Sequence, residues 1–445
     1  MPAFFLHIVL GLILVFFKQE SQVSSLLFTV VYEAILAYYI FYSYRNRNKI
    51  SLILAISYAL YFYQVPFIGN FSMDSPMLSY NIISTGSIVH ELYTVYFFIS
   101  IMMFFVIKQA DQIRIDFTSQ EDNPLLVKLF FSSLFLSVLL VIYAFINANG
   151  FSEYMKLNKL EASEIQNFFY LSYQPFALMA MVCGLWSRNK SIHLVSYFFI
   201  FLIVMFDIMT ARRFMILASL IIVFLLRYRD FKLKAVTFIW GYGLLFAMSL
   251  VKFIYYPFRN LLTGNLSSKD INSIKFSSVF HETFFSSETH AHIMLLANFL
   301  KEQIKLPPVY FLKQLIVGLP FGWQLVPSYK TAGDLLRLHY NVEWGGLASS
   351  FYIIPFISLG FGGILVAYLI LILLLRGLKF LINQFPNSIL PSVFVLINAP
   401  ILLFYYQREE LILITKTFFT YAFALSLAYY LSLVMVKKSE RISAH

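Results

Sequence analysis

Two adjacent arginines, Arg212 and Arg213, interrupt the stretch MTARRFMIL (209–217) between two apolar runs. A guanidinium is planar, stays charged, and offers a fork of N–H donors that fits two oxygens of a phosphate or carboxylate at once. In lipid, an arginine at a helix centre costs roughly 2.5–3.5 kcal/mol on insertion scales. The two ways to offset that cost are a polar or anionic partner and snorkelling to the headgroups. A second set of reactive side chains lies further along the chain. His281, His290, His292, His339, Glu282, Glu288, Asp334 and Glu343 fall there together with Arg259, Lys330 and Arg337. Imidazoles and carboxylates are the usual proton acceptors for a hydroxyl nucleophile. His290 and His292 stand close in sequence to Glu288, and His339 to Glu343.

Several chemistries lack their signatures. His290 and His292 stand two residues apart and point to different sides of a helix, so they do not share an ion. No HExxH, DxD, P-loop, GxGxxG or GxSxG pattern occurs. Cys183 is the only cysteine, which excludes an intramolecular disulfide and a cysteine-based zinc site. No metal and no cofactor is expected.

The elements that position these groups are helices in a bilayer. Hydrophobic residues make up 60% of the chain and charged ones 12%, about half the charged share of a soluble domain. Apolar runs of spanning length recur from end to end, which predicts an all-α, polytopic integral membrane protein rather than a β-barrel. About twelve transmembrane helices are expected, near 3–17, 23–43, 50–69, 87–107, 129–147, 165–186, 192–209, 212–226, 235–254, 349–375, 388–406 and 411–436. The apolar N-terminus lacks a basic leader and a cleavage site and reads as an uncleaved first span. Three parts follow: spans over 1–254, a long loop over 255–348, and spans with a tail over 349–445.

Charge sets the orientation. With both termini cytoplasmic, the inner segments hold about 17 Lys and Arg and the short outer loops about 6. The net charge of +11 is thus a topology signal and does not point to nucleic acid. Arg212 and Arg213 then lie at the outer face, against the local charge bias. The apolar part of their span, Phe214–Leu226, covers only about 20 Å of a core of about 30 Å, so the helix must either include the arginines, which recesses them, or extend into RYRD. His90, Glu91, Asp207, Lys252, Lys416 and the run Arg408–Glu410 fall at similar depth, while Glu33 is mid-span. Together they suggest a polar cavity opening to the outer leaflet. The loop over 255–348, roughly 90 residues long, is of a length that usually carries function. Its patches 289–305, 309–318 and 332–340 have amphipathic helical spacing suited to lying on a membrane or capping a cavity.

Three stretches carry a resemblance. TARRFMIL (210–217) resembles an outer helix start with arginine at Arg212, although Ala211 and Arg213 depart from the usual Ser and Gly. YFLKQLIVGLP followed by SYK (310–330) resembles a loop segment ending in proline and a later lysine. GGLASSFYIIPFISLGFGG (345–363) is similar to a Gly-Gly, aromatic, Gly-rich run leading into the next span. With the span layout, the chain resembles bacterial O-antigen and oligosaccharide repeat-unit polymerases of the Wzy type, relatives of the O-antigen ligases. His339-Tyr340-Asn341 only roughly echoes the His-Asn pair of ligases, which favours polymerase over ligase.

The resemblance implies a GT-C-like, metal-independent glycosyltransferase of the bacterial inner membrane. Its donor is a glycan on polyprenyl diphosphate, and membrane lipid and a chain-length regulator are its other partners. Arg212, Arg213, Arg259, Lys252 and Lys330 would hold the diphosphate, and one of His290, Glu288, Glu343 and His339 would take the acceptor's proton. Tyr255, Tyr256, Trp323, Tyr340 and Trp344 are candidates for stacking on sugars, or for an interfacial belt. The rival readings are a lipid-linked oligosaccharide flippase or other transporter, an O-antigen ligase, and a membrane acyltransferase using His90.

Overall fold

The computed structural model describes residues 2–16, 22–63, 65–66, 86–115, 123–156, 172–209, 214–227, 250, 260, 287–340, 350–407 and 410–443. Among them the regular elements are all helical, and no strand occurs. Among the described residues, seven helices are long and apolar enough to cross a membrane: Leu26–Arg45, Ile88–Ala110, Pro124–Asn147, Lys190–Asp207, Phe361–Gln384, Leu390–Gln407 and Leu411–Val434. Shorter apolar helices stand at four of the other expected spans: Ala3–Val15, Lys49–Phe62, Tyr173–Trp186 and Phe214–Arg227. At 14 residues, each of the last three reaches only about 21 Å. The expected span 235–254 lies outside the described residues, apart from Leu250.

The chain forms two compact units. The first comprises Met1–Arg114, Phe285–Leu381 and Ile401–Thr417. Its helices are α1 (Pro2–Phe16), α2 (Gln22–Arg45), α3 (Lys49–Phe62) and α4 (Gly86–Ala110), which pack on one another. Local chemistry sets the corners. Asn48 caps α3, its Oδ1 accepting from Ile50 N at 2.9 Å and Ser51 N at 3.3 Å, which satisfies two orphan donors of the first turn. Its Nδ2 donates to the carbonyls of Asp111 and Ile113 at 2.8 and 3.0 Å, tying the α2–α3 corner to the end of α4.

The second unit comprises Ile115–Phe284, Ile382–Pro400 and Phe418–His445. It holds α5 (Pro124–Asn147), α6 (Phe151–Lys156), α7 (Tyr173–Trp186), α8 (Lys190–Met209) and α9 (Phe214–Arg227). Asn123 caps α5 and Pro124 fills its first position, where a missing N–H costs nothing. Thirteen of the fourteen residues of α7 are buried, as expected of a helix that is apolar on every side. It packs against α5, α8 and α9. Gly184 is required there: a Cβ at that position would meet the Ser196 hydroxyl and come within 2.8 Å of the Phe130 ring.

Some helix faces expose bare apolar side chains. Phe4 and Phe5 on α1 and Leu194, Phe198 and Phe201 on α8 are all more than half exposed. In water such stripes are association surfaces; in a membrane they are the solvated face.

Further along, α10 (Ser287–Lys301), α11 (Pro308–Val317), the single turn α12 (Gly322–Leu325) and α13 (Ala332–Tyr340) belong to the first unit. They are followed by α14 (Ile353–Leu359), α15 (Phe361–Gln384), α16 (Leu390–Leu403), a 3-10 turn at Tyr405–Gln407 and α17 (Leu411–Ser443). The expected continuous span 349–375 is corrected here. The chain breaks after α14 at Gly360, whose φ of +61° suits glycine, and the crossing helix starts only at Phe361. Gly363 lets the two helices meet, since a Cβ there would run into the Pro355 carbonyl.

Candidate functional site

The site is built around α13. Its N-terminus carries a reciprocal capping box, in which Asp334 N donates to Thr331 Oγ1 at 3.2 Å and Thr331 N to Asp334 Oδ2 at 3.3 Å. A second acid arrives from far along the chain. Glu410, which directly precedes α17, accepts from Ala332 N at 2.6 Å through Oε1 and from the Tyr329 hydroxyl at 2.9 Å through Oε2. A carboxylate at a helix N-terminus meets both free N–H groups and the positive end of the dipole.

Around it lies a small apolar cluster of Val317, Val326, Tyr329 and Ile412, with Tyr310 and Trp323 packed against it. The Tyr310 and Trp323 rings lie 5.3 and 5.8 Å from that of Tyr329. The Tyr310 hydroxyl donates to Lys330 O at 2.7 Å and accepts from Lys330 N at 3.0 Å. The loop backbone at residue 330 is therefore pinned on both sides.

Burial dominates the electrostatics. Glu410 is only 3% exposed, and desolvation pushes its carboxyl up from 4.5 to about 7. The Ala332 and Tyr329 hydrogen bonds work in the opposite direction, and nearby Asp334 adds to the rise. The buried Gln314 amide also favours the charged form, although its atoms reach no partner at hydrogen-bond geometry. Its effect is that of a nearby dipole. The Tyr329 hydroxyl is raised above its ordinary value by burial first and by Glu410 second. Tyr310 is raised for the same leading reason.

The far end of α13 carries a second acid–base pair. His339 lies seven residues beyond Ala332, about 10 Å along the axis. Its Nε2 is 3.5 Å from Glu302 Oε2, and both side chains are partly exposed. A carboxylate beside an imidazole fixes the orientation of the ring.

The second unit has a buried acid of its own. Asp207 is 0% exposed and accepts from Met215 N at 2.9 Å through Oδ2, with the Tyr173 hydroxyl donating to Oδ1. It thus caps α9 from the end of α8. In the sequence, Asp207 and Met215 bracket the arginine doublet.

Of the residues singled out by type and spacing, His339 stands in the pair just described, and Lys330 is exposed between Tyr329 and α13. Arg212, Arg213, Lys252, Arg259 and Glu343 lie outside the described residues, as do the side chains of Glu288, His290 and His292 on α10. Neither type nor spacing singles out Glu302, and in the sequence Glu410 stands out only as part of the charged run Arg408–Glu410. Among the described residues, no group of three His, Cys, Asp or Glu side chains is placed to hold a metal ion. The chain matches no protein-family model, no curated protein and no solved structure.

Proposed function

We propose that the chain joins polyprenyl-diphosphate-linked oligosaccharide repeat units into a surface polysaccharide, as a GT-C-like polymerase. The reaction takes place at the outer face of the bacterial cytoplasmic membrane, with both termini inside. One observation carries this reading: a helical segment between membrane-length helices that brings together an exposed imidazole–carboxylate pair and a deeply buried carboxyl. An acid–base constellation on a segment joining two spans suits a water-soluble acceptor group attacking a lipid-held donor.

In that reaction the acceptor hydroxyl oxygen forms a bond to the donor's anomeric carbon. The bond from that carbon to the diphosphate oxygen breaks, and the carrier leaves with the electron pair. The acceptor proton passes to a base, for which His339 held by Glu302 is the best-formed candidate. Glu288, His290 and Glu343 remain the other candidates. Charge grows on the diphosphate in the transition state, where fixed cations act most strongly. Arg212 and Arg213 take that role, with Lys252, Arg259 and Lys330 as further contacts. Glu410 holds the α13 frame on which the base is mounted.

The test is deletion of the gene in its host, with complementation by variants. Loss of a polymerase leaves single repeat units on their acceptor, and Arg212→Ala and His339→Ala complement poorly at normal protein level. Wild-type glycan lengths with either variant would remove that residue from the site. Complete loss of surface glycan with precursor retained inside would identify a flippase instead. Long chains left on the carrier would identify a ligase.

A further inference from the structure

The core of the first unit contains a concentration of buried phenols outside the site above. Tyr58 on α3, Tyr96 on α4, Tyr352 before α14, Tyr368 on α15 and Tyr406 in the 3-10 turn are all 0% exposed. Their rings gather around two phenylalanines: Tyr58, Tyr96 and Tyr352 lie 4.7, 5.6 and 6.4 Å from the Phe62 ring, and Tyr368 and Tyr406 lie 4.8 and 5.4 Å from the Phe351 ring. Tyr368 interacts electrostatically with Tyr406, Tyr58, Tyr352 and Tyr96, and Tyr96 with Tyr352 and Tyr58. Two have clear partners: Tyr58 pairs with Tyr32 at 3.3 Å, and Tyr406 donates to Met103 Sδ at 3.1 Å while accepting from Gln407 Nε2.

The others do not. The hydroxyls of Tyr96, Tyr352 and Tyr368 and the side-chain carbonyl of Gln407 have no hydrogen-bond partner among the described residues. Tyr96 and Tyr352 come close to each other, and Ser350 comes close to Tyr352, without reaching hydrogen-bond geometry. The Ser350 hydroxyl is instead committed to the Gln407 backbone carbonyl. Native interiors leave few polar atoms unmade, and four in one place, all fully buried, call for a shared partner. The groups are neutral, three of them donor–acceptors and one an acceptor. Neutral hydroxyls and an amide carbonyl suit a ligand that both donates and accepts. Polar groups that approach without bonding are the usual setting for a bridging molecule.

We propose that Tyr96, Tyr352, Tyr368 and Gln407 form a binding site for ordered water inside the first unit. Water bonded there turns four unmatched groups into one network joining α4, the residue before α14, α15 and the 3-10 turn.

Radiolytic labelling of the purified full chain in 18O-enriched water tests this, because tyrosines touching bound water take up label despite being buried. Tyr39 is the internal control. It is also 0% exposed, but its hydroxyl is bonded to Ser100 O at 2.6 Å and to His7 at 3.1 Å. We expect label at Tyr96, Tyr352 and Tyr368 several-fold above Tyr39; equal label overturns the proposal. The isosteric variants Tyr352→Phe and Tyr368→Phe give a second measure. Removing a water-bonded hydroxyl breaks the network and lowers Tm by roughly 1–3 °C. Removing a hydroxyl with no partner raises Tm, and that result also overturns the proposal.

Discussion

Glu410→Gln isolates the cost of keeping a carboxyl under the loop. In the folded chain burial holds Glu410 at about 7, against 4.5 in water. The sign follows from that rise. Below about pH 4.5 the group is protonated whether the segment is docked or open, and docking carries no charge penalty. As the pH climbs to about 7 the open state ionises first, and docking loses stability until both states are ionised. A rise of about 2.5 units corresponds to about 3 kcal/mol, or about a 300-fold change in the opening constant. The amide of Ala332 reports it directly, since its N–H is donated to Glu410. Hydrogen exchange of that amide, divided by its intrinsic chemical rate, gives the opening constant in the full-length protein. Wild type should open about 300-fold more readily at pH 8 than at pH 4.5, with the change centred between those two values. Glu410→Gln, a neutral isostere that still offers a carbonyl to Ala332 N, should lack that slope and be the better protected of the two at pH 8. Parallel pH profiles for the two proteins, or wild-type protection that increases with pH, would refute the argument.

Other substitutions test neighbouring parts of the structure. Tyr329→Phe removes a donor that favours the charged form of Glu410; the exchange transition should move to higher pH, with docking weakened by about 1–3 kcal/mol at pH 8. Asp207→Ala leaves the Met215 N–H and the Tyr173 hydroxyl without their shared acceptor. It should cost about 2–4 kcal/mol, read as a lower unfolding midpoint, whereas Asp207→Asn should restore part of the loss. Gly184→Leu forces a side chain between α7 and its neighbours at Ser196 and Phe130. Overpacking of this kind costs about 1–3 kcal/mol or more, and a midpoint equal to wild type would show that α7 packs elsewhere.

Most helix positions could be read from the amino acids because apolar runs end at charged corners such as Arg45–Lys49. The break at Gly360 was harder. Ile353–Gly363 is apolar except for Ser358, so hydropathy carries straight across it, and only Pro355 and the glycines mark the stop. Glu410 was hidden for a different reason. It ends the polar run Gln407–Glu410 between two spans, the usual pattern of a solvated corner, yet its partners are a backbone N–H and a phenol from distant residues. No side-chain code announces a backbone donor. Glu302 likewise sits in KEQIK (301–305), which resembles any polar helix end. Its pairing with His339 depends on how α10 and α13 pack.

The bond between Ala332 and Glu410 joins positions 78 residues apart, which gives the loop a place in time as well as in space. At about 5–20 residues per second, a ribosome needs roughly 4–16 seconds to make that interval. Through that period α13 has its own Thr331–Asp334 box but lacks its remote acid, while α14, α15 and α16 are being made and inserted. The segment carrying His339 is therefore among the last parts of the first unit to be locked. A chain cut short before Glu410 would hold nearly every helix of that unit and still leave its α13 unfastened.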